Sequence, residues 1–150
     1  MIEGPVLGLD FGERRIGVAL SDPERIIASG LTTLDRRKKP DYLQSLDEII
    51  RREKVRAIVV GYPLRTDGEI KPGGKTEAVD AFVAALKTRF NLPVHLEDES
   101  FTSSMAADSL KQRGGKKKKP SDWIRAKAEI DRVAACYILQ DYLDRGEKVS

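Results

Sequence analysis

Three acidic residues interrupt apolar segments of this chain, and they restrict the possible folds more than any other feature of the sequence. Asp10 ends the apolar run at residues 6–9, Glu99 follows the run at residues 93–96, and Asp131 lies within the stretch at residues 130–139. A buried carboxylate is costly unless it is paired, hydrogen-bonded or bound to a cation. The fold must therefore bring these side chains to a common cation or give each one its own partner.

A shared metal site is the first interpretation of the three acids. Carboxylate and water oxygens are the usual ligands of Mg²⁺ and Mn²⁺ in proteins. Asp10, Glu99 and Asp131 therefore predict a site for Mg²⁺ (or Mn²⁺). Three independent ion pairs or helix caps are the alternative, and the spacing of the residues leaves it open.

Positive charge is concentrated in one segment of the chain. Between Lys111 and Lys127 there are eight basic residues and one acid, so this segment carries +7, and the rest of the chain must carry −4 to give the net charge of +3. A basic patch of this kind favours a polyanion such as nucleic acid. A solvated loop that only keeps the protein soluble is the alternative.

Length and composition predict one soluble, globular domain. The chain has 150 residues, of which 40% are apolar and 34% charged, without an apolar run as long as a membrane span. We expect neither a membrane partner nor a targeting segment. The lone Cys136 cannot form an internal disulfide, which favours a core position in a reducing, cytoplasmic environment.

The order of apolar patterns is three strands, helix, strand, helix, strand, helix, basic loop and helix, which predicts a mixed sheet. Asp41 is a candidate N-cap with Gln44 at the capping-box position. Thr102 or Ser103 could cap a helix that ends before residue 114. We expect an ordered core at about residues 5–145 and a flexible basic loop at residues 114–120, followed by a last helix that begins at residue 121 or 122 and runs to about residue 145.

Strand alternation brings two of the acids toward each other. Asp10 shares one face of the first strand with Gly8, and Gly17 and Ala19 would share that face if the next strand pairs with it as a hairpin. This bare face lets a helix lie close against the sheet. The last helix has small residues at positions 134 and 135 on the same side as Asp131, so two short Asp side chains could reach one ion.

Four motifs occur in order along nearly the whole chain. They are residues 8–12 with 16–19, residues 59–64 with 67–68, residues 98–99 with 101–103, and residues 130–131 with 134–135 and 138–140. Together they resemble the RNase H-like superfamily, and within it the YqgF family of Holliday junction resolvases and ribosomal RNA precursor nucleases. The resemblance implies an α/β fold: an RNase H-like mixed five-stranded sheet flanked by helices, in a single domain over residues 1–150.

The same resemblance implies a metal-dependent nuclease in which Asp10, Glu99 and Asp131 are both the catalytic carboxylates and the metal ligands. The implied substrate is either the 5′ side of pre-16S ribosomal RNA or a four-way DNA junction. The implied partners are structured RNA or branched DNA and a ribosome precursor, and a junction resolvase would also need a homodimer that presents two sites.

Substrate contacts are predicted at glycine, basic and hydroxyl side chains: Gly12, Arg14, Arg65, Thr102, Lys116, Lys117, Lys118 and Lys119. Arg14 and Arg15 could equally be solvated hairpin residues, and Thr102 could only cap a helix. The family commonly has an arginine where this chain has Ser100, so the missing charge must come from elsewhere, such as Arg65 or the lysine loop.

Some alternatives stay open at this point. Glu97 shares a strand face with Glu99 and could be a ligand in its place or beside it. A sugar-kinase or actin-like ATPase would also have an Asp-Phe-Gly hairpin, but it needs two such domains and a separate adenosine site. A nucleic-acid-binding factor with weak or no catalysis could keep the same fold and the same acids.

Overall fold

A computed structural model describes residues 3–62, 76–98 and 120–146 of the chain. The elements are β1 (Val6–Phe11), β2 (Arg15–Ser21), β3 (Ala28–Asp35), α1 (Tyr42–Glu53), β4 (Ala57–Tyr62), α2 (Thr76–Arg89), β5 (Val94–Asp98) and α3 (Pro120–Gly146). The strands form one sheet in the order β3-β2-β1-β4-β5. The first three strands pair antiparallel, whereas β4 is parallel to both β1 and β5, which confirms the predicted mixed five-stranded sheet.

Helices cover the two faces of the sheet with separate apolar clusters. On one face, Leu7 and Leu9 of β1 pack in a cluster with Leu46 of α1 and Phe82 of α2. The other face packs against α3 through a second cluster. Strand β4 contributes to both clusters in alternation, and all six of its residues are buried, as its continuous apolar sequence predicts.

The start of α1 confirms the predicted N-cap. Asp41 Oδ1 accepts a hydrogen bond from the backbone N–H of Gln44 at 3.4 Å. The Gln44 side chain accepts from Arg89 Nη2 at 3.0 Å, so it links α1 to the end of α2. The helix ends at Lys54, which has the left-handed conformation (φ 56°) and donates its backbone N–H to Ile50 O.

Two boundaries differ from the sequence-based expectation. The apolar residues at 26–34 predict a third strand over that range, but β3 begins at Ala28. The backbone N–H groups of Ile26 and Ile27 donate to Asp22 Oδ1 at 2.7 and 2.9 Å and keep these two residues in a loop. Helix α3 begins at Pro120, a residue type that suits the first helical position because no N–H is needed there. The predicted helix after Thr102 and the basic loop up to residue 119 lie outside the described residues. Among the helices that are described, none is long and apolar enough to cross a membrane.

Candidate active site

Asp10 and Asp131 are brought together by the close approach of α3 to β2. Asp10 pairs with Gly17 in the β1–β2 register, so the two residues are neighbours on one face of the sheet. A Cβ atom at Gly17 would overlap the carbonyl group of Asp131 and lie 3.1 Å from Arg132 N. The α3 backbone therefore rests directly on β2 beside Asp10, as the small residues on this face predict.

Further along the strands the same close packing continues. A Cβ atom at Gly8 would lie 2.7 Å from Leu139 Cβ and 3.3 Å from Ala135 O. Ala19, Ala135 and Leu139 are all fully buried in the cluster beneath α3. Small residues on both elements thus set the distance between helix and sheet, and with it the separation of the two aspartates.

Arg15 holds the carboxylate of Asp131 in place. Its Nε donates to Asp131 Oδ2 at 2.7 Å, and the two side chains are only 19% and 25% exposed. Arg15 lies two residues before Gly17 in β2, so both residues face α3. A charge-assisted hydrogen bond of this length is among the stronger polar contacts in proteins. Sequence reasoning left the role of Arg15 open.

The turn after Asp10 is fixed by backbone and by Arg36. Gly12 N donates to Arg15 O at 2.9 Å, and a Cβ atom at Gly12 would lie 2.7 Å from that oxygen. Arg36 Nη1 donates to the carbonyl oxygens of Gly12 and Glu13 at 2.9 and 2.8 Å. Its guanidinium also lies 4.4 Å from the centre of the Phe11 ring. Gly12 thus has a structural reason to be glycine, and its contact with substrate stays a prediction.

Arg14 is turned toward a different partner from Arg15. Its Nε lies 3.5 Å from Asp35 Oδ2, and its side chain is 43% exposed. Backbone N–H groups of Arg37 and Lys38, together with the charge of Arg14, outweigh the effect of burial and lower the pKa of Asp35. Arg14 therefore has an intramolecular anion beside it, and its predicted contact with substrate is untested.

Glu97 is buried and forms an ion pair with Arg145 near the end of α3. It is paired with Gly61 in the β4–β5 register, which places it on the α3 side of the sheet, two strands away from β1. Strand spacing puts its backbone about 10 Å from β1. Arg145 supplies the cation that burial of Glu97 demands, which favours the ion-pair interpretation over a role as metal ligand.

Other side chains with reactive groups have structural contacts. Cys136 Sγ donates to Ala28 O at 3.3 Å, and burial raises the pKa of the Cys136 thiol. His95 stacks on Tyr142 with the ring centres 5.3 Å apart. The first contact agrees with the predicted core position of Cys136, and the second packs His95 against α3.

Several predicted site residues fall outside the described part of the chain: Glu99, Arg65, Thr102, Lys116, Lys117, Lys118 and Lys119. Within the ranges that are described, no three His, Cys, Asp or Glu side chains form a group that could hold a metal ion. The structure thus places two of the three predicted ligands, Asp10 and Asp131, beside the same residue, Gly17. An all-oxygen donor set suits Mg²⁺ or Mn²⁺, and Glu99 would have to complete it from just beyond β5.

Sequence comparison relates the chain to a nuclease family. A family model described as RuvX, Holliday junction resolvase, matches residues 4–145. A protein of Koribacter versatilis named "Putative pre-16S rRNA nuclease" is 44% identical over 144 residues, which cover 96% of this chain and 89% of the relative. A protein of the same name from Moorella thermoacetica is 43% identical over 140 residues, which cover 93% and 94% of the two chains.

Structure comparison finds the same fold in two resolvases. The RuvC protein of T. thermophilus, solved in complex with a Holliday junction substrate, aligns with a TM-score of 0.54 and 15% identity over 98% of each chain. The Fowlpox virus resolvase, solved with Holliday junction DNA, aligns with a TM-score of 0.55 and 12% identity over 97% of this chain and 99% of that one. The fold is therefore the RNase H-like fold of RuvC-type proteins.

Proposed function

The chain belongs to the RuvX family, the same family that its motifs resemble under the name YqgF, and from this membership we propose that it is a metal-dependent nuclease for pre-16S ribosomal RNA. It hydrolyses phosphodiester bonds as an endonuclease during 5′-end processing. The observation that supports the proposal is that Asp10 and the backbone of Asp131 both lie beside Gly17, where α3 rests on β2.

The residues that would hold Mg²⁺ or Mn²⁺ are Asp10, Glu99 and Asp131. A metal bound by these residues would supply activation of a water nucleophile and charge stabilisation at the leaving 3′ oxygen. Arg15 keeps the Asp131 carboxylate in one orientation through its hydrogen bond to Oδ2. Gly17 leaves room for the helix that carries Asp131, and the Arg36 contacts fix the turn that follows Asp10. His95 is stacked on Tyr142, and the reaction needs no histidine.

The proposed partners are structured RNA and a ribosome precursor, in the cytoplasm. Relatives that are 43–44% identical and carry the pre-16S rRNA nuclease name support this substrate. The basic residues 116–119 would add contacts to phosphates along the RNA backbone.

Resolution of Holliday junctions is the second candidate function. It is supported by the description of the matching family and by the junction substrates that the two structural neighbours bind. This activity would require a symmetric homodimer that presents two copies of the site to branched DNA.

A cleavage assay separates these candidates. Purified protein is incubated with labelled precursor RNA that spans the 5′ end of 16S rRNA, with a linear single strand and with a four-way DNA junction, each in Mg²⁺, Mn²⁺ or EDTA. We expect site-specific cleavage of the precursor RNA with a divalent ion and none in EDTA. Paired symmetric cuts in the junction alone would favour a resolvase. Binding without cleavage under every condition would contradict the nuclease proposal and favour a binding factor.

Two variants connect the activity to the site. Asp10→Asn should abolish cleavage and leave the Tm unchanged or higher, because it removes negative charge from a group of predicted metal ligands. The matched control is Asp47→Asn on α1, where the carboxylate pairs with Arg51 at 3.0 Å on the opposite side of the sheet. This control should keep full activity. Cleavage by Asp10→Asn at the wild-type rate would contradict the assignment of the site.

A further inference from the structure

Arg15 uses only part of its guanidinium group to hold Asp131. The contact is made by Nε, at 2.7 Å from Asp131 Oδ2. A guanidinium has five N–H donors in a planar fork, of which four belong to the two Nη atoms. With the residues that the structure describes, the Nη atoms of Arg15 form no hydrogen bond and no ion pair. The side chain keeps 19% of its surface exposed, so a ligand can reach it from solvent.

The charge of the site calls for a cation at this position. If Glu99 joins Asp10 and Asp131 around one divalent ion, the three carboxylates and the ion carry a formal charge of −1, which would repel a phosphodiester of the same sign. Arg15 brings the formal charge of this set to zero. It does so from within the site, because it contacts one of the carboxylates directly.

Arg15 is better placed for this contribution than its neighbour in the turn. Lys and Arg side chains commonly contact phosphate, and Arg does so with two parallel N–H donors. Arg14, the neighbour of Arg15, already lies beside Asp35. Among the described residues, Arg15 is a cation in direct contact with a predicted catalytic carboxylate, that of Asp131.

We propose that Arg15 is a bridging residue, which positions Asp131 through Nε and binds a phosphate of the nucleic acid through its Nη atoms. The proposal rests on the proposed nuclease function, and it names the residue that brings the backbone of the substrate to the two aspartates. The ligand it recognises is a phosphodiester, in RNA or in DNA.

Binding without metal tests this proposal separately from catalysis. The affinity for a fluorescein-labelled DNA duplex is measured by anisotropy in EDTA over a series of salt concentrations, for the wild type and for Arg15→Gln. We expect weaker binding by Arg15→Gln and a log–log salt slope that is smaller by about 0.9, the contribution of one phosphate contact on duplex DNA. The matched control Arg51→Gln removes the same charge from α1, where the side chain is 79% exposed and pairs with Asp47. It should keep the wild-type slope.

Arg15→Lys is a second variant that keeps the test valid if Arg15→Gln does not fold. A lysine keeps the positive charge beside Asp131, so the Tm should stay at the wild-type value. It lacks the planar fork, so one ammonium cannot hold both anions in the same geometry, and binding should weaken as in Arg15→Gln.

The possible outcomes distinguish this proposal from the proposed function. A wild-type salt slope in both Arg15 variants would overturn the bridging role and leave Arg15 as the counter-ion of Asp131 alone. A reduced slope together with failure of the wild type to cleave any substrate would support the phosphate contact and contradict the nuclease. Loss of Tm without change in the slope would show that Arg15 is only structural.

Discussion

Substitution of Gly17 by alanine is the most direct test of how this site is built. The new Cβ atom would overlap the carbonyl carbon and oxygen of Asp131 and lie 3.1 Å from Arg132 N. All three atoms belong to the α3 backbone, so no side-chain rotation can relieve the overlap. The helix must move away from β2, and Asp131 must move away from Asp10.

The expected cost follows from the kind of atom that has to move. Overpacking of a tight interior costs roughly 1–3 kcal/mol, and we expect Gly17→Ala to reach about 3 kcal/mol because the obstacle is backbone. For a chain of this size each kcal/mol lowers the Tm by about 2–4 °C, so the expected decrease is about 6–12 °C. A shift of about 1 Å at a catalytic group can cost roughly 100-fold in rate, so cleavage should fall more than stability does.

Urea denaturation and the cleavage assay give the two measurements. Gly30→Ala is the matched control, because its Cβ atom would lie 2.7 Å from Arg132 Cγ and 3.1 Å from Cδ, which belong to a flexible side chain. We expect this control to cost less than Gly17→Ala, because a side chain can turn away where a helix backbone cannot. Gly17→Ala could instead unfold at the same urea concentration as the wild type and still cleave. That result would show that α3 does not rest directly on β2 and that Gly17 does not determine the position of Asp131.

Three further predictions concern other parts of the chain. Ser21 Oγ accepts a hydrogen bond from the buried Val6 N–H at 2.8 Å. Ser21→Ala should therefore lower the free energy of unfolding, measured in urea, by about 1–3 kcal/mol. No change would show that this N–H finds another acceptor. Hydrogen bonds from the backbone N–H groups of Ile27 and Ile26 lower the pKa of Asp22 below 3.8. The wild type should therefore be more stable than Asp22→Asn at neutral pH, and this difference in the free energy of unfolding should disappear as the pH falls below 3.8. A difference that is constant with pH would contradict this. Replacement of the four lysines at residues 116–119 by serine should weaken binding to nucleic acids of every sequence and reduce the salt slope, with the Tm unchanged. If affinity and slope stay at the wild-type values, these lysines do not contact the nucleic acid.

Local patterns in the sequence were enough to predict the framework of the site. Alternation in the first two strands placed Asp10, Gly17 and Ala19 on one face, and the register and the buried cluster confirm it. The small residues on that face predicted a helix in close contact, and Gly17 beside Asp131 confirms that as well. These inferences succeeded because period-2 alternation and side-chain size act directly on neighbouring residues.

Contacts between distant residues were not predictable in the same way. Arg15 and Asp131 are 116 residues apart, and which hairpin arginine reaches the helix depends on its crossing angle and rotation. The ion pair of Glu97 with Arg145 depends on the same geometry. No sequence pattern predicts the contact of Arg36, which donates to the carbonyl oxygen of Gly12 in the turn after Asp10. The metal ligands as a set, Glu99 among them, stay a prediction.

The position of α3 in the chain has a consequence for synthesis of the protein. The sheet face beneath α3 includes Val6, Ala19 and Val59, which are fully buried in the folded chain and which the ribosome makes long before the helix. Until residues 131–143 have emerged, this face is uncovered and a target for chaperones or for aggregation. Asp131 arrives on the same late helix. The same helix covers the exposed sheet face and carries Asp131 to Asp10. Nuclease activity and protection from aggregation therefore begin at the same step of folding.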